Sequence, residues 1–71
     1  MMNRDEHVAW CKRRALEYVA AGLLDQAVAS MASDMSQHPE TIMPPELAYL
    51  GVLDAQAGDA DAVNRWINGF R

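Results

Sequence analysis

The chain has 71 residues, 51% of them hydrophobic, a formal net charge of −4 and a single cysteine. That is one domain, residues 1–71, near the small end of what folds without staples. Cys11 alone excludes an intramolecular disulfide, and no Cys/His cluster has structural-zinc spacing, so stability is expected from a helical core, from association of copies, or from both.

The charge is unevenly spread. Residues 1–21 carry four basic groups (Arg4, Lys12, Arg13, Arg14) and three acidic ones, whereas residues 22–71 carry two basic and seven acidic. Such an acidic domain is not expected to bind nucleic acid in general, because phosphate contact needs a net basic surface. No apolar run approaches the roughly 20 residues that span a bilayer. Residues 1–6 also lack the apolar core of a signal peptide. The expectation is a soluble, cytoplasmic protein with no membrane partner.

The first helix is expected to start at Asn3, a strong N-cap with Glu6 three residues on, where a capping-box partner stands. Val8, Cys11, Ala15, Tyr18 and Val19 recur at helical steps, and Gly22 is placed to stop the helix in a left-handed conformation. Leu24, Ala27, Val28, Met31, Ala32 and Met35 form the stripe of a second helix, ended by Gln37-His38-Pro39. So short a connection makes the pair an antiparallel hairpin.

Residues His38 to Met43 are the linker, with Ile42 and Met43 expected to lie against the body. Pro44-Pro45-Glu46 begins a third helix, about Pro45 to Ala57, apolar nearly all round and so expected at the centre or at an interface. Gly58 closes it and Asp59 caps a last helix carrying Val63, Trp66, Ile67 and Phe70. The reading is all-α, a small four-helix arrangement of two antiparallel hairpins. Its core formers are Val8, Leu16, Tyr18, Val19, Leu24, Val28, Met31, Met35, Leu47, Leu50, Leu53, Val63, Trp66, Ile67 and Phe70.

Ala15, Tyr18, Gly22, Ala27 and Pro39 fall at the spacing of a tetratricopeptide repeat, which the first hairpin resembles. Asp34 stands where that family prefers alanine and Cys11 where it prefers tryptophan. A weaker second copy pairs Leu50-Gly51 with Arg14-Ala15 and Gly58 with Gly22, each displaced by 36 residues, against about 34 in the family. A second resemblance rests on Arg4-Asp5-Glu6-His7, Trp10-Cys11-Lys12, Arg14-Ala15-Leu16-Glu17-Tyr18, Ser30-Met31-Ala32-Ser33-Asp34 and His38-Pro39-Glu40-Thr41. Over about residues 4 to 41 the chain resembles a group of small proteins of tailed bacteriophages and prophages. It implies a viral protein acting in a bacterial cytoplasm, and it implies no site residues.

Chemistry is sparse. His7 and Cys11 lie four apart on one helix, but two ligands are too few for a structural metal, and the expectation is an exposed His and a buried Cys. Cys11 and His38 have no third group or oxyanion signature to make them nucleophile and base. There is no glycine-rich phosphate loop and no paired-acid motif, so neither an enzyme nor a cofactor is expected.

Trp10 projects with Arg14 and Glu17 away from the main stripe, so this face is the candidate partner surface unless another part of the chain covers it. Lys12, Arg13 and Arg14 fan around the helix as a solvated rim. Asp34 and Asp54 are expected at stripe edges with solvent access. The function expected is a non-enzymatic protein–protein interaction module, with a host protein or a second copy (a homodimer) as partner. The alternatives are a self-associating phage assembly protein and an acidic nucleic-acid mimic.

Overall fold

The computed structural model describes residues 3–70; Met1, Met2 and Arg71 lie outside the described residues. It is all-helical: α1 (Arg4–Ala20), α2 (Leu24–Met35), a 3-10 turn (Pro39–Thr41), α3 (Pro45–Gln56) and α4 (Ala60–Asn68). The Asn3 side chain accepts the Glu6 amide at 2.8 Å, satisfying one of the free donors of the first turn.

Both hairpins close in the same way. Gly22 has φ +77° and Gly58 φ +69°. Around Gly22, the Gly22 amide donates to the Val19 carbonyl and the Leu23 amide to Tyr18 (each 2.9 Å). Around Gly58, the Gly58 amide donates to Ala55 (3.0 Å) and the Asp59 amide to Asp54 (3.3 Å). Each is the paired bonding of a Schellman closure, whose left-handed residue is free of steric penalty only as glycine. Asp59 then caps α4, its carboxylate accepting the Ala62 amide at 3.0 Å.

The core is built from α1, α2 and α4. Val8, Cys11 and Ala15 of α1 meet Ala27, Val28, Met31 and Met35 of α2, and Ala15 and Ala27 are wholly enclosed. Two alanines with no exposure let the helix axes approach closely, which is what the short turn at Gly22 demands. Val63 and Ile67 of α4 are also fully buried, each worth about 1.5–3 kcal/mol of transfer from water. Lys12 Nζ donates to the Asn68 carbonyl at 3.4 Å, placing a cation at the negative end of α4.

The position of α3 departs from the sequence expectation. It is not central: α4, the shortest of the four, packs against α1, α2 and α3, while α3 packs mainly on α2 and α4. Only Gly51 and Ala55 of α3 are buried. Leu50 and Leu53, expected in the core, are 53% and 41% exposed. Ile42, expected on the body, is exposed, while Met43 does pack against the core.

The reason is the Trp66 indole. It lies flat on the α3 backbone, where a Cβ added at Gly51 would sit 2.6 Å from two ring carbons. The indole N–H donates to the Leu47 carbonyl at 2.9 Å, and Phe70 meets the ring edge-on at 5.0 Å between centroids. The inward face of α3 is chosen by smallness, not by hydrophobicity.

Two glycine substitutions should therefore separate by mechanism. Gly22→Ala has open space but positive φ, and should cost about 1 kcal/mol in denaturant unfolding. Gly51→Ala should cost about 1–3 kcal/mol by overpacking. Its cost should shrink when Trp66→Leu is already present, whereas that of Gly22→Ala should not.

Candidate functional site

Trp10, Arg14 and Glu17 share one face of α1, as their spacing requires. Trp10 is half-buried, flanked one turn away on each side. The Arg14 guanidinium carbon lies 5.0 Å from the Trp10 ring centroid, and the His7 ring stacks at 6.0 Å with a 26° interplanar angle. Glu17 is exposed.

Arg14 is engaged within the chain. Its Nε donates to Asp34 Oδ2 at 2.7 Å, and Ser30 Oγ donates to the same oxygen at 3.3 Å. Asp34 is buried, at 5% exposure, which corrects the expectation of a solvent-facing edge residue. The carboxylate tolerates burial because a cation and a hydroxyl both donate to it. In return the bond to Asp34 raises the Arg14 pKa above its ordinary value.

His7 is a second correction. It is buried at 8% exposure, not exposed. Its Nε2 lies 2.8 Å from the Asp34 carbonyl oxygen, which can only accept, so Nε2 carries the proton in this bond. That carbonyl belongs to the last turn of α2 and also accepts the Gln37 amide at 3.2 Å, so His7 supplies the second donor that a carbonyl oxygen can take. The imidazole thus caps α2 from across the hairpin.

Cys11 Sγ lies 3.5 Å from the same Nε2, and the His38 ring centroid is 5.6 Å from that of His7. The fold therefore brings His38 to the His7–Cys11 pair that helical spacing already places on one face, an approach that sequence spacing does not reveal. The gathering is poorly suited to nucleophilic chemistry. The thiol is enclosed, and burial pushes its pKa up to about 11, with the Asp34 charge adding to the rise. A nucleophilic cysteine needs the opposite shift. The Nε2 proton is also committed to a carbonyl, so this nitrogen cannot take one from sulfur. His38 Nδ1 accepts the Glu40 amide at 3.1 Å and so serves the 3-10 turn. Among the described residues no group of three or more His, Cys, Asp or Glu could hold a metal ion.

The largest unexplained feature lies elsewhere. Tyr49 (60% exposed), Leu50, Val52 and Leu53 form a contiguous apolar surface on α3. Beside it, between α2 and α3, runs a groove of about 360 Å³ lined by Val28, Ala29, Ala32, Ala48, Val52 and Ala55, with Asp25 and Gln56. Singly exposed leucines are ordinary, but four large apolar side chains together on one helix are not. The signal for it is present in the sequence only as a helix apolar on nearly every side, which must leave some of its large side chains uncovered.

Cys11 gives a pH test. The thiol binds its proton more tightly when folded (about 11, against 9.0 ordinarily), so folding favours the protonated form. That contribution is complete below pH 9 and is lost as pH rises toward 11. The unfolding free energy of the native chain should fall more steeply between pH 9 and 11 than that of Cys11→Ala, measured by urea titration at each pH.

Among the described residues no helix is long and apolar enough to cross a membrane. The chain matches no protein-family model, no curated protein and no solved structure.

Proposed function

We propose that the chain is a non-enzymatic protein–protein interaction module that docks through the outer face of α3 and its groove against α2. The observation that carries this reading is the exposure of Tyr49, Leu50, Val52 and Leu53 on one helix. Keeping four large apolar side chains in water forgoes about 25 cal/mol for each Å² left uncovered, and a partner that covers them recovers it. The resemblance to small phage proteins directs the search for that partner to a bacterial cytoplasm, and the tetratricopeptide-like spacing of the first hairpin suits an adaptor.

This moves the working surface from α1 to α3. Trp10 is flanked by His7 and Arg14, and Arg14 is held by Asp34. Glu17, the third of the α1 trio, is exposed and adds its charge beside Arg14. The high thiol pKa of Cys11 speaks against a nucleophilic role.

A second reading, self-association into an assembly protein, uses the same α3 face, because two copies could cover each other's leucines. Light scattering at high micromolar concentration separates the two: a dimer dissociated by Leu53→Asp supports self-association, and a strict monomer removes it.

The module reading is tested with a photo-crosslinking residue at Tyr49 in bacterial cells. A discrete adduct should form there, should be lost in Leu53→Asp, and should be absent when the crosslinker replaces exposed Glu6 on α1. Leu53→Asp should lower the unfolding free energy by no more than about 1–2 kcal/mol and leave the chain folded, since the side chain is 41% exposed and only partly covered. Equal adducts from both positions, or none from Tyr49, overturn the reading.

A further inference from the structure

The charge around the α3 face says what kind of partner fits it. Neither α2 nor α3 contains a Lys, Arg or His; together they hold Asp25, Asp34, Glu46 and Asp54. Asp34 is buried against Arg14 on the far side of the hairpin. The others border the apolar surface: Asp25 lines the groove, Glu46 precedes Tyr49 and Leu50 by one turn, and Asp54 follows Leu53. The cation of α4, Arg65, lines a different cleft with Leu47, Trp66 and Phe70.

We infer that the occupant of this face is a basic amphipathic helix, with an apolar stripe seated on Tyr49, Val52 and Leu53 and lysines or arginines along its margins. The inference rests on the interaction-module reading and adds the partner's class. Three arguments carry it. Carboxylates on both sides of an apolar floor attract cationic margins and repel phosphate, so a nucleic acid or an anionic lipid surface is disfavoured. A second copy is disfavoured because a two-fold interface brings the same patch from both sides. Acids would then face acids, with no base on either wall.

Backbone accounting argues for a helix in particular. The floor is made of helices whose own amides and carbonyls are paired, and the described residues contain no strand edge to extend. An extended peptide would lay unpartnered backbone groups on Ala29, Ala32, Ala48 and Ala55, whereas a helix satisfies its own. The short alanine side chains leave room for large anchors. A helix of 12 residues, like α3 itself, is about 18 Å long and presents three turns.

The test uses the full chain and two designed helical peptides with the same Leu/Ile stripe, one with lysines on its other faces and one with glutamates, followed by fluorescence anisotropy. The basic peptide should bind at least about tenfold more tightly, and the difference should narrow with added salt. Asp25→Lys and Glu46→Lys should each weaken it about fivefold. Asp61→Lys makes the same change of charge in a separate cleft of α4 and should weaken it less than about twofold. Equal binding of both peptides, or an Asp61→Lys effect as large as that of Asp25→Lys, overturns the inference, because attraction would then be nonspecific. If neither peptide binds but Leu53→Asp dissociates a dimer, the α3 face is an interface and its occupant is a second copy, so the inference falls and the interaction face stands. If neither peptide binds and the Tyr49 crosslinker yields nothing, both fall.

Discussion

The contact of Trp66 with the bare backbone at Gly51 decides how the second half of the chain is built. An indole lying 2.6 Å from where a Cβ would be can only meet glycine, so it fixes which side of α3 turns inward. Its N–H on the Leu47 carbonyl sets the rotation of the helix as well. Once Gly51 and Ala55 face inward, Tyr49, Leu50 and Leu53 have nowhere to go but outward. The apolar face follows from a steric choice made on the opposite side of the same helix.

The first hairpin is held by a different principle. Its apolar seam is made of small and medium side chains, Ala15, Ala27, Cys11 and Met31, and polar atoms stitch its edge. His7 and Arg14, one turn either side of Trp10, both reach Asp34, one at its carbonyl and the other at its carboxylate. A buried acid with two donors is costly to create and costlier to break. It ties the start of α1 to the end of α2, giving the hairpin a register that alanine packing alone would leave loose. Cys11 and His38 lie beside this knot, each within reach of the His7 ring.

Local signals in the sequence were read well because their physics is local. Asn3, Gly22, Gly58 and Asp59 cap or close helices through atoms a few residues away, and the structure places each in that role. The all-helical, four-helix arrangement follows from the same periodicities. What periodicity could not supply was orientation where a helix has no polar side. In α3 an apolar pattern is compatible with any rotation, so periodicity places Leu50 and Leu53 in a core that Trp66 denies them. His7 and Asp34 were misplaced for another reason: their partners lie 20 to 27 residues away, beyond any helical step. The α3 groove needed both α2 and the rotation of α3 to be known, so it had no one-dimensional trace.

The thin attachment of α3 has a consequence for motion. A helix whose inward contacts are Gly51, Ala55 and the partly buried Leu47 loses less apolar burial when it lifts than α4, which carries Val63 and Ile67 into the centre. Opening free energies in small domains follow such differences, and the least-buried element exchanges its amide hydrogens first. The segment that offers the most surface outward is thus the one the fold grips least. A partner seated on it would bridge α2 and α3, slow that exchange, and turn a loosely held helix into a fixed part of the bundle.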